Sequence, residues 1–389
     1  MAKAGISGRG IVSSLGRGVA ETVRNLYADN PKLPALPRRL ATSLPLPVFE
    51  LELDTPPNTP GGRTVELLNL ALDEALDEAG LSRPSLKGQR IGVAVGTTVA
   101  CQLNDIPFHA VLRTGNVSDP TPIQNFLLGN PAEHIRRKLN LNGPAVTISN
   151  ACASGADAIG VALTWLRNGS CDIAIAAGAD EFSKVPFDGF NALGVCSHSP
   201  CRPFDVQRDG LNLGEAAAVV ILENSDHAVA RRHHQNFYAA GFGKTADSFH
   251  ITQPEPEGTQ LESAIRLCLE QACVRPEFVE FINAHGTGTP TNDGTEGRVL
   301  SRVFGPQAKY MSTKSLTGHT LGAAGTVEFI LTQLMLENGC ALRNHRCTTP
   351  DPTIPVPPLS RDCPVPGRLA LSTSLAFGGS NTALAVARL

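Results

Sequence analysis

Three glycine-rich stretches carry the side chains that could do chemistry: ISNACASG with Cys152, INAHGTGTP with His285, and STKSLTGHTLGAAG with Lys314 and His319. A cysteine with histidines elsewhere in the chain is the constellation of a nucleophile with acid–base or oxyanion partners. Each stretch ends an apolar run that reads as a β-strand, and in α/β sheets ligands bind at the carboxyl ends of strands. Cys152 sits on a turn of small residues, ahead of a helix that starts near Ser154. Unpaired N–H groups and the positive end of the helix dipole favour an anion there, so its thiol is expected to ionise more readily than a free one. Read alone, Cys152 is equally a small buried cysteine placed where a larger side chain would clash. His285 alone reads as a turn residue and His319 as a helix N-terminal one. Three such turns in one chain favour the chemical reading.

The elements that must position them follow from the patterning. A strand is expected over Ala4–Val12, then a Pro-rich loop from Pro31 to Pro60. Helical spacing of Val65, Leu68, Leu72 and Leu76 predicts a helix over Arg63–Ala79, stopped by Gly80. A buried strand is read over Arg90–Thr97, and the segment Cys101–Asn125 has no period and reads as an excursion or lid. Asn130 as cap and Pro131 at the first position open a helix to Leu139. The strand Ala145–Ile148, the Cys152 turn and its helix come next, then strands over Asp172–Ala177 and Ala216–Leu222 and a helix over Ser225–His234. From Phe237 the pattern restarts. FYAAGFGKTADS echoes the first strand and its glycine-rich exit, Gln260–Val274 is a helix, and Val279–Ala284 and Tyr310–Thr313 are strands running into the two histidine turns. The small-residue helix after His319 repeats the strand–turn–helix layout around Cys152. Pro350–Pro366 crosses the surface, and Leu369–Ser372 and Asn381–Ala387 bracket the loop LAFGGSN. Strands alternating with helices predict α/β layers, and two similar passes predict a duplicated core with halves 1–235 and 236–389.

Composition excludes several classes. The chain has 389 residues, 42% hydrophobic and 18% charged, with a formal net charge of −3, which describes a globular protein with ample core and no basic face for nucleic acid. No run approaches the roughly 18 apolar residues of a membrane span, and the N-terminal MAKAGISGRGIVSS lacks a long apolar signal region, so a cytoplasmic protein is expected. The ten cysteines are scattered: Cys196/Cys201 and Cys268/Cys273 lack the two-residue spacing of metal knuckles. His198 between the first pair and His345 near Cys347 keep a metal open, but reduced core thiols and no metal are the expectation.

Six stretches, ISNACASG, CRPFDVQRDGLNLGEAAAVVILE, DSFHITQPEPEG, INAHGTGTPTNDGTE, STKSLTGHTLGAAGTVE and LAFGGSN, stand in this order. The chain thereby resembles the elongating β-ketoacyl-ACP synthases, the Cys-His-His class of the thiolase superfamily, over essentially its whole length. The resemblance implies a thiolase-like five-layered αβαβα fold of two similar halves, the first carrying the cysteine and the second the histidines and lysine. It implies a β-ketoacyl-[acyl-carrier-protein] synthase, an acyltransferase that performs a decarboxylative Claisen condensation of a Cys-bound acyl chain with malonyl-ACP. The products are 3-oxoacyl-ACP, CO2 and free ACP. No cofactor is implied, since both substrates ride on the phosphopantetheine arm of acyl carrier protein, and a homodimer or a heterodimer with a related synthase-like subunit is expected.

By the same resemblance Cys152 holds the acyl chain, and His285 and His319 hold the malonyl thioester carbonyl as charge builds on its oxygen. Lys314 keeps His319 from protonating, and Glu328 is the buried countercharge to Lys314. Phe377 is the gating residue, whose loop lends an oxyanion N–H beside that of Cys152, and Thr287 and Thr289 contact phosphopantetheine. The family's GEG reads Gly214-Glu215-Ala216 here. The competing readings are a non-catalytic chain-length-factor-like partner, a starter enzyme or thiolase, and an unrelated cysteine hydrolase. The first lacks the nucleophile, the second lacks the second histidine or carries two active cysteines, and the third leaves the lysine unexplained. The pathway implied is fatty-acid synthesis or a specialised polyene or polyketide pathway.

Overall fold

The computed structural model of the chain describes residues 4–54, 62–98, 105–115 and 117–389. The first half contributes β1 (Ala4–Ser13), α1 (Gly62–Glu78), β2 (Ile91–Gly96), α2 (Ile106–Thr114), α3 (Thr121–Leu128), α4 (Pro131–Lys138), β3 (Ala145–Ile148), α5 (Ser154–Arg167), β4 (Ile173–Asp180), α6 (Lys184–Ala192) and β5 (Ala216–Asn224). The second contributes β6 (Phe237–Ala246), α7 (Thr259–Ala272), β7 (Ile282–Asn283), α8 (Pro290–Phe304), β8 (Tyr310–Met311), α9 (Ala324–Glu337), β9 (Leu369–Ala376) and β10 (Ser380–Arg388).

The strands run β3-β2-β4-β5-β1 and then β6-β10-β9-β7-β8. Counted from each outer edge, the second half repeats the order of the first. The senses repeat too: three parallel strands at the edge, then two antiparallel ones. The two half-sheets meet edge to edge through a single pair, Gly5 opposite Tyr238. Helices α5 and α9 pack on each other between the half-sheets, α1 covers the outer face of the first, and α7 that of the second. That makes five layers of the thiolase-like αβαβα kind. One apolar core lies around α5 and α9, with a separate core under α1 and another under α7.

The glycines that weaken β1 as a strand have a packing reason. A Cβ on Gly8 or Gly10 would stand 2.1 and 1.9 Å from the carbonyl oxygens of Ala75 and Ala71 on α1. In the second half, Cβ atoms on Gly241 and Gly243 would stand 2.2 and 1.9 Å from the carbonyls of Cys268 and Ala264 on α7. The same close helix-on-strand approach is built twice, and only glycine permits it.

Some expectations need correction. The period-less Cys101–Asn125 segment holds α2 and the start of α3, with residues 101–104 and 116 outside the described set. The helix expected over Ser225–His234 ends at Ala230, and the strand expected over Val279–Ala284 pairs only at Ile282–Asn283. Residues 55–60 of the Pro-rich stretch also lie outside the described residues. No helix among the described residues is long and apolar enough to cross a membrane.

Candidate active site

The Cys152 turn is locked by its own short hydrogen bonds. Asn150 N–H donates to Ser154 Oγ (2.8 Å), and Ser154 Oγ donates to the Ala151 carbonyl (2.6 Å). Between them Ala151 is forced to φ 45°, a conformation that side chains avoid and that sites such as this retain. The turn delivers Cys152 to the start of α5 with 4% of its surface exposed. Burial pushes the thiol up to about 11, against the opposing pull of Lys314 and the backbone N–H groups of Phe377 and Cys152. Burial thus runs against the expectation of an easily ionised thiol, since loss of water outweighs what Lys314 and the two N–H groups supply.

His285 leaves β7 on a backbone held by a buried carboxylate. The N–H groups of His285 and Gly286 donate to the two oxygens of Glu296, both at 2.8 Å, and Thr373 Oγ1 donates to the same carboxylate at 2.7 Å. Burial raises Glu296 to about 7 despite these donors. Lys314, at the start of a four-residue helix, forms a buried ion pair with Glu328 on α9. Its Nζ also donates to the His285 carbonyl (2.6 Å) and to His285 Nδ1 (3.0 Å). Burial raises Glu328 to about 7 with Lys314 pulling the other way. His319 is anchored by its N–H to the Asn212 carbonyl (2.7 Å), and its Nδ1 accepts from Leu321 N–H at 3.1 Å.

These partners set the proton on each ring. A nitrogen that accepts a hydrogen bond carries no hydrogen, so both imidazoles bear theirs on Nε2. Burial first, and Lys314 second, hold both well below the ordinary histidine value. The rings stand edge to face, 5.3 Å between centroids. Lys314 thus touches His285 directly and acts on His319 through its charge.

Cys152, His285, His319, Thr287, Thr289 and Phe377 line one cavity of about 160 Å³. Lys314 and Glu328 stand behind His285. The Thr287 and Thr289 hydroxyls pair with each other at 2.8 Å, and Thr289 makes no side-chain cap to α8. Phe377 stacks on Phe190 of α6 (5.4 Å, 18°), and Phe190 also meets His319 edge-on at 6.2 Å. At the departure from GEG, Gly214 N–H holds the His319 carbonyl (3.0 Å), and Glu215 pairs with buried Arg63 at 2.7 Å.

Sequence reasoning missed Glu296, Phe190 and the Leu321 N–H. Glu296 stands inside the quoted INAHGTGTPTNDGTE stretch and was open to notice. Phe190 has no local signal, because its significance is the ring it meets.

Among the described residues, the only His/Cys/Asp/Glu trio close enough to share an ion is Cys152, His285 and His319, with donor atoms within 4.8 Å of one another. Their chemistry fits an anion better. Each imidazole presents an N–H to the cavity where a metal needs a lone pair, and the Lys314 charge stands beside them. The nine described cysteines are free thiols.

Residues 62–228 match the N-terminal domain of the beta-ketoacyl synthases, and residues 238–348 match their C-terminal domain. The chain belongs to the beta-ketoacyl synthase family. As a member it is a condensing acyltransferase of fatty-acid or polyketide synthesis. It is 31% identical to 3-oxoacyl-[acyl-carrier-protein] synthase 2 of Coxiella burnetii over 98% of each chain. This beta-ketoacyl synthase also superposes on one from Burkholderia phymatum STM815 with a TM-score of 0.90 at 30% identity, covering all of both chains. A chain of the complex of a ketosynthase with its chain length factor from Xenorhabdus doucetiae gives a TM-score of 0.87 at 28% identity, covering 100% of this chain and 98% of that one.

Proposed function

We propose that this beta-ketoacyl synthase is an elongating 3-oxoacyl-ACP synthase whose two half-reactions share the cavity around Cys152. The observation that carries the reading is the convergence of a buried thiol and two neutral imidazoles that both present Nε2–H. In the first half-reaction Cys152 Sγ attacks the thioester of acyl-ACP, an S–C bond forms, and the thiol proton leaves with the pantetheine sulfur. The developing oxyanion faces the N–H groups of Cys152 and Phe377.

In the second half-reaction malonyl-ACP loses CO2, and its thioester oxygen takes on charge beside His285 and His319. A preplaced donor acts most where charge exists only in the transition state, about 2.7–4 kcal/mol each. The carbanion then attacks the Cys152 thioester and expels the thiolate, which regains a proton from water. Its pKa of about 11 makes that recovery favourable.

The remaining assignments are those the family resemblance implies, and their place in or behind the cavity supports them. Thr287 and Thr289 hold the phosphopantetheine arm, Phe377 gates the acyl chain, and Lys314 with Glu328 keeps the histidines neutral. The halves 1–235 and 236–389 supply the acyl-holding and the decarboxylating groups respectively. The carrier brings both thioesters, so the chemistry calls for no bound cofactor, and the free thiols suit the cytoplasm.

A second subunit is part of the reading. Helices α2 and α3 pack on each other and bury none of their residues, and Leu112 and Leu127 on them are 69% and 70% exposed. Another copy or a related subunit such as a chain length factor would cover this face. The chain itself is read as the catalytic member of either pair, because the nucleophile and both histidines are present.

The deciding experiment incubates the protein with acyl-ACP and then malonyl-ACP. One acyl mass on Cys152 followed by release of 3-oxoacyl-ACP is expected. Acylation that persists in Cys152→Ala overturns the assignment.

A further inference from the structure

Loading and condensation both pass through an oxyanion beside Cys152, and the two N–H groups facing it come from different halves of the chain. The N–H of Cys152 belongs to the turn ahead of α5, and that of Phe377 to the loop between β9 and β10. Their separation must be held to a fraction of an ångström for both to donate well.

One closed circuit of contacts spans the two. Asn150, two residues before Cys152, donates its side-chain amide to Ser380 Oγ (3.0 Å), three residues beyond Phe377. The same amide nitrogen donates to Asp157 Oδ2 of α5 at 2.6 Å. Lys244 Nζ of β6 reaches that Oδ2 as well, also at 2.6 Å. Lys244 stands opposite Thr382 in the β6–β10 ladder, and β10 begins at Ser380. The circuit therefore runs from the gating loop through two strands, across the ion pair and back through Asn150.

The ion pair is its asymmetric link. The Asp157 side chain is 4% exposed and its Oδ1 has no hydrogen-bond partner, whereas the Lys244 side chain is 45% exposed. Without Lys244 a buried carboxylate keeps Asn150 alone as a donor, and its orientation is no longer defined. Nothing in the circuit touches the groups that set the histidines, which are Glu296, Lys314, Asn212 and the Leu321 N–H.

We propose that Asp157 and Lys244 are positioning residues for the oxyanion pair at Cys152, and so act on acyl transfer but not on malonyl decarboxylation. The inference rests on the synthase reading above. It adds to that reading a residue pair that touches no reacting atom.

The test uses the full-length enzyme with acyl-ACP and, separately, malonyl-ACP, with thermal unfolding of each variant as a check on the fold. Lys244→Met is the first variant, since the side chain it replaces is half-exposed, and Asp157→Asn is a second that leaves no uncompensated buried charge. Acyl transfer to Cys152 should fall by about tenfold to a hundredfold, the scale of a small misplacement of reacting groups. CO2 release from malonyl-ACP should stay close to wild type, Lys244→Arg should restore most of the loading rate, and Asp157→Asn should behave like Lys244→Met. Unchanged loading, equal loss of both half-reactions, or an Arg variant no better than Met overturns the proposal. Wild-type enzyme that never acylates Cys152 overturns the synthase reading instead, and the positioning role falls with it.

Discussion

Lys314 Nζ lies 3.0 Å from Nδ1 of His285 and 2.6 Å from the same residue's carbonyl oxygen. One cation thus fixes both the backbone position and the tautomer of a histidine, and its charge keeps that ring from acquiring a second proton. Leu321 N–H performs the tautomer-setting task for His319 without any charge. The two rings reach the same donor state by different means, and the expected consequences differ accordingly.

Removing one imidazole separates the half-reactions. His319→Ala should keep acyl loading while malonyl decarboxylation drops by about a hundredfold to a thousandfold, the usual cost of one oxyanion donor. Mass spectrometry of the acyl-enzyme and CO2 release measure the two sides. Decarboxylation at the wild-type rate would sink the role.

Lys314 should act on both stability and pH response. Lys314→Ala leaves the Glu328 carboxylate uncompensated in the core, a loss of about 3–5 kcal/mol that thermal or urea unfolding would register. Lys314→Ala with Glu328→Gln should recover much of that loss. Decarboxylation in the double variant should then show an acidic limb at higher pH than in the wild type, as the histidines regain basicity.

The pH dependence of stability has a definite sign for these histidines. Both are held well below 6.5 in the fold, so below about pH 6.5 the unfolded chain binds more protons than the folded one. Their stabilisation is present above that pH and is lost as pH falls toward the folded value. His285→Ala with His319→Ala should have a shallower decline in unfolding free energy between pH 6.5 and pH 5. An unchanged slope would contradict neutral buried rings.

The Cys152 thiol should alkylate slowly at neutral pH. With its pKa pushed up to about 11, the iodoacetamide rate should rise with pH until that region is reached. A plateau already present at pH 8 would mean that the helix terminus and Lys314 outweigh burial.

Phe190 predicts a change of selectivity. Phe190→Ala removes the ring on which Phe377 stacks, while the hydrogen bonds that set His285 and His319, to Lys314 and the Leu321 N–H, do not involve Phe190. A panel of acyl-ACPs of graded length should show an altered preference, with decarboxylation of malonyl-ACP retained. An identical length profile would leave the stack without a part in chain selection.

The amino-acid sequence by itself determined the α/β layering, the duplication, and the three turns with Cys152, His285, Lys314 and His319. Those features are local, since the period of apolar residues and the glycines that end strands act over a few residues. Tertiary structure alone decided how the turns meet. It placed Lys314 on His285, set both protons on Nε2, and buried Cys152, which pushes its thiol up. It also brought Phe190 to Phe377 and Lys244 to Asp157, residues 187 and 87 positions apart whose partnership no spacing announces. Burial and long-range contact depend on how the half-sheets stack around α5 and α9. The residues of the turns are therefore local and readable in sequence, whereas the protonation of their side chains depends on burial and partners that only the fold supplies.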